Sequence, residues 1–417
     1  MSLVDTPDSP TLFAGNGRSG APQLLRPRGS NHVGMRQFNE RVVLQAIRLN
    51  GSCPKAELAR LTGLTAQTIG LITNRLEEDG LIIRHEPVRG RIGQPSVPLA
   101  LNPDGAFSIG IKIGRRSADL LLVDFTGTVR RRESMPYIFP DAQTLLPAIE
   151  NHMAAIQNDL GALSTRLVGV GVAAPFNLGG WHKMLGLPPS VSDDWNHIDL
   201  STQVQTFTDA PVRFARDTAA ACVAELVAGR GRDLKSFLYL FVDTFVGGGL
   251  VINSHLHNGV HGNAGAVASM PLHVAAGKGV PEQLLVHASL WELEQLFKEH
   301  GLDPTAAYDD RALQAPFEET TKSWIASAAD ALALCIVNGT AFLDIDAVVI
   351  DGSFSRAMLT RLIDHTEAAL AHYDWEGLWP ATLVAGSIGS DARALGGALL
   401  PLHENFAPDR DIFLKAS

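Results

Sequence analysis

Apolar side chains between residues 35 and 101 recur first at helical spacing and then in alternation. Val42, Val43, Ala46 and Ile47 share one face of a stretch from Met35 to Leu49, which predicts an amphipathic helix. Leu58 and Leu61 repeat at helical spacing behind Ser52, a candidate N-cap, and Pro54, which suits a first helical turn. Gly63 closes this second helix. Thr65 stands as the N-cap of a third helix with apolar positions Ile69, Ile72 and Leu76, and Gly80 ends it. Two helices joined by a short glycine-containing turn match a helix-turn-helix, although the pair alone is equally an αα-hairpin that merely packs. The downstream pattern favours the first reading. Leu81 to Arg84 reads as a strand, Pro87 to Pro95 as a basic turn and Val97 to Leu101 as a returning strand. The expectation is a winged helix-turn-helix whose third helix enters the major groove of double-stranded DNA.

Past a turn-rich hinge at Leu101 to Gly105, the spacing changes. Phe107, Ile109, Ile111 and Ile113 alternate, Gly114 to Ser117 makes a turn, and Ala118 to Asp124 returns, predicting a hairpin with one buried face. A helical stretch around Leu145 to Leu160 precedes a buried strand from Leu167 to Ala174. The order then partly repeats: Phe237 to Val242, a turn at Asp243 to Phe245, Gly247 to Asn253, and a later strand from Ala347 to Ser353. This duplication predicts two α/β lobes facing each other across a cleft, where ligands usually sit. Leu290, Leu293, Leu296 and Phe297 form one amphipathic face, Trp324 to Ala341 a long apolar helix, and Asp391 to Leu402 a closing helix.

With 417 residues and 46% hydrophobic content, the chain is large enough for two or three domains. Neither a bilayer-length apolar run nor a basic segment leading into an apolar core is evident, so a soluble cytoplasmic protein without membrane contact is expected. Cys53, Cys222 and Cys335 are far apart and read as small core residues. Residues 1–31 hold four Pro and four Gly among few large apolar side chains, which predicts a disordered tail. The net charge is −10, yet the span from Arg18 to Ala100 carries 12 Lys and Arg against 6 Asp and Glu. A basic module on an acidic body confines phosphate attraction to one end. Within it, Thr65, Gln67, Thr68, Leu71 and Asn74 are the candidates for base edges, and Arg75, Arg89 and Arg91 those for phosphates or a minor groove.

Several motifs carry a resemblance: Gly90 to Pro95 ahead of Leu101-Asn102-Pro103, Arg216 to Ala221 with Glu225, Gly247 to Gly249, Gly259 to Gly265, and Gly386 to Leu399. From about Met35 to Phe406 the chain resembles transcriptional regulators of the ROK family (repressors, open reading frames and sugar kinases). The resemblance implies a winged helix-turn-helix, residues 32–102, joined to a body of sugar-kinase fold, the duplicated actin-like α/β architecture. The first lobe would span 103–212, with a helix at 391–405 returning to it, and the second 213–390. It also implies a homodimer or tetramer built through the helices after Leu284, although core packing explains their apolar faces equally well.

The departures from the family pattern carry as much information. Where the kinases have an Asp-x-Gly-Gly-Thr turn, this chain has Lys112 to Ser117, and an ammonium offers magnesium no acceptor. Arg115 puts a long side chain where backbone must approach a nucleotide. The second phosphate turn has become Asp243 to Gly249, with an acidic residue and Phe245 replacing glycines. Both changes argue against ATP binding, so no cofactor and no enzyme activity are expected.

On the sugar side the family's Asn-Asp pair is Arg216-Asp217, where Asp217 matches the base but is equally placed to cap a helix. The sugar-binding Glu has become Ala266 and the sugar- or zinc-binding His has become Ser269. His273 to Leu285 lacks the family's cysteines, and His261, His273 and His287 match no compact ligand spacing, so no metal is expected. Asp194 and Trp195 stand near the family's sugar-contacting loop, within an acidic segment that reads as a loop. The candidate effector contacts are therefore Asp194, Trp195, Arg216, Asp217, Asn263 and Ser269.

Three functions remain open on the sequence. The first is a DNA-binding repressor of carbohydrate-related genes, whose degenerate kinase body senses a sugar or sugar derivative. The others are a regulator whose body is only a dimerisation scaffold, and a sugar kinase with a DNA-binding head.

Overall fold

The computed structural model describes residues 32–87, 96–175, 178, 189–274 and 280–408. The tail at 1–31 and most of the basic turn, including Arg89 and Arg91, lie outside the described residues.

The head consists of α1 (His32–Asn50), β1 (Ser52–Pro54), α2 (Lys55–Thr62), α3 (Ala66–Glu78), β2 (Ile82–Arg84) and β3 (Pro98–Leu101). Ser52 does not cap α2. It belongs to an extended segment that pairs antiparallel with β3, Cys53 opposite Leu99, which buries the Cys53 side chain and leaves Pro54 as an N-cap without a side-chain hydrogen bond. Gly63 ends α2 in the left-handed region at φ +70°, a conformation that a side chain would strain. The Thr65 hydroxyl then accepts from the Thr68 amide at 3.2 Å and starts α3. Ile69, Ile72, Thr73 and Leu76 face inward against Val43, Leu44 and Ile47 of α1 and Leu58 of α2, whereas Leu61 is largely exposed.

The body has two five-stranded sheets. The first takes β4 (Phe107–Ile113), β5 (Ser117–Asp124), β6 (Val129–Pro136), β7 (Leu167–Ala174) and β8 (Val212–Arg216) in the order β6-β5-β4-β7-β8. The second takes β9 (Phe237–Val242), β10 (Gly247–Ile252), β11 (His255–Leu256), β12 (Ala347–Gly352) and β13 (Thr382–Ala385) in the order β11-β10-β9-β12-β13. Each repeats one plan: β4 pairs antiparallel with β5 and parallel with β7, as β9 does with β10 and β12. Around the first lobe lie α4 (Ala142–Leu160), α5 (Pro189–Asn196) and α6 (Leu200–Gln205). Around the second lie α7 (Asp217–Ala228), α8 (Leu284–Ala288), α9 (Leu290–Glu299), α10 (Glu318–Leu343) and α11 (Arg356–Leu370). The closing helix is α12 (Ala392–Phe406).

All seven residues of β4 are buried, so the hairpin does not have the single buried face expected of it. Ile109, Ile111 and Ile113 pack with Ile149 and Met153 of α4, while Ser108 and Gly110 are small because α12 lies on the other face. By length and composition α10 would suit a bilayer, but Trp324, Ile325, Ala328, Leu332 and Ile336 fill the core of the second lobe, which accounts for its apolar character.

The two lobes are joined where α12 crosses α7. A Cβ at Gly396 would fall on the carbonyl oxygen of Ala220, and one at Gly171 on that of Gly397, so helix backbone meets helix backbone and strand with nothing between. Buried Glu225 of α7 holds the approach to α12, its carboxylate accepting from the amides of Ser387 at 2.6 Å and Ile388 at 2.9 Å. Gly396→Ala is expected to cost about 1–3 kcal/mol or more by overpacking. Gly70→Ala, in a helix interior with open space around it, should stabilise by about 0.5–1 kcal/mol. Urea denaturation of the two variants checks both signs.

Candidate functional site

The outer face of α3 is built by elimination: once the apolar positions turn inward, Gln67, Leu71, Asn74 and Arg75 remain exposed. Thr65 is exposed and Thr68 half-buried, and their hydroxyls lie 2.9 Å apart. Leu71 keeps 67% of its surface in water, the apolar centre of an otherwise polar face. Lys55 of α2, not among the sequence candidates, donates from Nζ to Asn74 Oδ1 at 3.1 Å and extends this face. Arg75 pairs with Glu40 of α1 at 2.8 Å, so its cation is shared until a stronger anion competes.

Between the lobes lies a cavity of about 670 Å³. Arg216, Asp217, Asn263 and Ser269 all line it. Asp194 and Trp195 do not, because their segment is helix α5 and not a loop. The Trp195 ring is buried in the first lobe's core and its Nε1 donates to the Pro140 carbonyl at 2.7 Å; Asp194 is half-buried on the same helix. Asp217 opens α7 and its Oδ1 accepts from the Thr218 amide at 2.9 Å, within the first turn.

Most of the charged side chains around this cavity have polar or charged partners. Lys112 Nζ donates to Ser117 Oγ at 2.6 Å and pairs with Asp119 at 3.0 Å. Burial, then the Arg393 charge, pulls the Lys112 ammonium below its ordinary value against the opposing pull of Asp119. Burial works to raise the Asp119 carboxyl, but Lys112 and hydrogen bonds from Ser134, Lys112 and Ser117 outweigh it and hold that group below its ordinary value. Arg116 of the first lobe donates to both oxygens of Glu294 in the second at 2.7 Å, and Tyr308 donates to the same carboxylate at 2.7 Å. The Arg115 guanidinium lies 4.8 Å from the centre of the Phe245 ring. Arg216 closes the opposite side by donating to the carbonyls of Gly262, at 3.1 Å, and Ala264.

Arg393, in the first turn of α12, escaped the sequence reading. It pairs with Asp243 and lies 3.7 Å from Asp217, so one guanidinium joins the two carboxylates that the second lobe presents to the cavity. Burial works against its charge, but Asp243 and Asp217 outweigh burial and raise it above its ordinary value. A cation in a helix's first turn opposes the macrodipole, and that conflict was the available signal that Arg393 has specific carboxylate partners.

Among the described residues, no group of three or more His, Cys, Asp or Glu side chains gathers as a metal site. His287 is held by Glu282 at 2.9 Å and Ser327 at 3.1 Å.

Residues 108–404 match the sequence pattern of the ROK family. The chain belongs to the ROK family. Residues 39–83 match the winged helix-turn-helix DNA-binding pattern. An uncharacterized protein of Sinorhizobium fredii is 26% identical over 88% of this chain and 92% of its own length. The xylose repressor of Bacillus subtilis is 26% identical over 57% of this chain and 61% of the repressor, so the match covers under two thirds of that protein. Among solved structures, a ROK family transcriptional regulator described as a homolog of the E. coli MLC protein superposes with TM-score 0.65 at 19% identity, covering 89% of this chain and 98% of that one. The ROK hexokinase of Thermus thermophilus gives TM-score 0.53 at 20% identity over 70% and 97%. At such identities the superpositions establish the shared ROK architecture alone.

Two tests follow from the charge pairing in this ROK cleft. Arg393→Met strands the largely buried Asp243 and Asp217 carboxylates and should cost about 3 kcal/mol in urea denaturation, with most recovered in Arg393→Met/Asp243→Asn. The depressed Asp119 carboxyl contributes stability above its ordinary value that disappears as pH falls through its lower folded value. Thermal melting should therefore decline less steeply below about pH 4 in Asp119→Asn than in the parent.

Proposed function

We propose that this chain is a DNA-binding transcriptional repressor of carbohydrate-related genes, whose ROK body senses a sugar or sugar derivative between its lobes and transfers no phosphoryl group. The DNA-reading element is α3. Its exposed Gln67, Leu71 and Asn74 supply amides for base edges and an apolar contact for a thymine methyl, while Arg75 and Lys55 face the phosphates. The matches to xylose repressors and to the N-acetylglucosamine repressor of Escherichia coli support the carbohydrate link. Two copies would place two α3 helices on paired half-sites.

The observation that carries the sensor reading is the course of α12. Its first turn holds Arg393 among the cavity carboxylates, and its last residue, Phe406, packs edge-on against Phe125 at 4.7 Å. Arg48 of α1 lies over that same Phe125 ring at 5.3 Å. A single 15-residue helix, about 22 Å long, thus runs from the cleft to the DNA-binding head. A sugar with unequal affinity for two arrangements of Arg393, Asp217 and Asp243 would shift α12 and with it the head.

Against the kinase reading stand Lys112 and Asp243, each engaged by an opposite charge where metal and phosphate would have to enter. Asp217 is the feature that favours it. Its test is ADP release from Mg-ATP with hexoses and hexosamines, expected to stay at the no-enzyme background.

Full-length protein incubated with a pool of genomic fragments should enrich one duplex, whose affinity falls steeply with salt. Gln67→Ala or Asn74→Ala should lose roughly tenfold to a hundredfold in discrimination of that duplex, about 1–3 kcal/mol, whereas Arg75→Ala weakens all duplexes alike. Recovery of no preferred duplex, or binding indifferent to salt, would falsify the regulator reading. Phe406→Ala should retain DNA binding and lose its response to any sugar that releases the parent protein, read by fluorescence anisotropy.

A further inference from the structure

A second cavity, of about 790 Å³, lies between the head and the body, away from the inter-lobe cleft. Its walls come from the last turns of α1, the segment from Gly231 to Lys235, the β10–β11 turn and the end of α12. Among the described residues, the charged side chains on these walls are all cationic. Arg48, Arg232 and Lys235 line it together with His255, His257 and His403, and among the described residues no Asp or Glu lines it. The protein as a whole carries a net charge of −10, so its average surface does not account for this concentration. The inter-lobe cleft, by contrast, matches its cations with Asp119, Asp217 and Asp243.

Arg48 is the most telling member. Its guanidinium is largely withdrawn from water over the Phe125 ring, and it forms no ion pair among the described residues. Burial first, and the like charge of Arg232 second, lower it to about 10. Arg232 approaches because its Nη2 donates to the carbonyls of Arg48 and Leu49 at 3.3 and 3.2 Å, which ties the end of α1 to the body. Both ring nitrogens of His255 lie within hydrogen-bond distance of carbonyl oxygens, Asn253 at 2.8 Å and Pro408 at 3.0 Å, which fixes the ring in the cavity wall. A partly buried group of like charges is unfavourable until an anion joins it. The remaining wall is partly apolar, through Val42 and Leu226, and the volume suits a metabolite.

We propose that this junction cavity binds a small organic anion, a carboxylate or phosphate monoester on a partly apolar body, and that the bound anion sets the angle of the DNA-binding head. Arg48 belongs to the head and Arg232 and Lys235 to the body, so one anion contacting both sides favours a single head orientation. The site is separate from the cleft assigned to the sugar and does not require that assignment.

The test uses the full-length protein at constant ionic strength, titrated calorimetrically with glucose 6-phosphate, fructose 1,6-bisphosphate, gluconate and citrate, with glucose as the uncharged control. At least one anion should bind, and the phosphate and carboxylate arms separate the two sources of charge. Arg232→Gln and Lys235→Gln remove exposed side chains and should leave folding intact, which melting verifies. Each should weaken the bound anion by roughly tenfold or more, the range of one charge-assisted hydrogen bond. Hydrogen exchange with the anion bound should show protection at residues 45–50 and 231–236. The proposal is overturned if no anion binds at about 10 mM, far above a millimolar Kd. It is equally overturned if both variants bind as the parent does, or if protection falls on residues 215–218 and 243–245 of the cleft instead.

Discussion

Everything else in the body depends on the contact in which α12 lies against α7 and the β4–β7 pair without side chains between them. Gly396 rests on the Ala220 carbonyl, Gly397 on Gly171, and Gly110 under Ala398. Such contacts place helix axes closer than any larger residue allows, and a packed interface of this kind shifts between discrete arrangements more readily than it deforms. The same helix carries Arg393 at one end and Phe406 at the other, so cleft and head share one rigid element. Its position explains why β4 is buried on both faces and why the small residues Ser108 and Gly110 sit where solvent-facing side chains would be expected.

The cleft's electrostatics follow from that placement. Burying Arg393 is tolerable only because Asp243 and Asp217 are there to meet it, and Lys112 is tolerable only beside Asp119. Arg116 and Glu294 then span the lobes, with Tyr308 holding the carboxylate in place. A hydroxyl-rich ligand that takes over even one of these hydrogen bonds changes the balance at the start of α12. The same paired charges, Lys112 with Asp119 and Asp243 with Arg393, set the polar character of the cleft wall on both lobes.

Much of this architecture was legible because local chemistry and pattern agreed. Gly63 and Thr65 mark the turn of the helix-turn-helix through a left-handed backbone and a hydroxyl cap, and the two glycine-bounded hairpins reveal the duplication. What was missed has physical reasons. β1 is three residues long and shows no period, so Ser52 looked like a cap until its pairing with β3 was seen. β6 is an edge strand rich in charge, Arg130 to Glu133, which hides its alternation while protecting the sheet edge. Trp195 fills a core and Arg393 completes a cavity, and both roles depend on partners far away in sequence. The junction cavity is assembled from segments more than 300 residues apart, beyond the reach of any local pattern.

The central claim is that the DNA-reading helix and the inter-lobe cleft are coupled through α12. Coupling between binding sites is reciprocal, so it can be read from the DNA side without knowing the sugar. The direct measurement is hydrogen exchange of the full-length protein with and without its selected duplex. The account predicts altered protection both in α3 and at the cleft end of α12, around Arg393 and its partners Asp217 and Asp243. Changes confined to the winged domain, with the cleft and α12 indifferent to DNA, would contradict it.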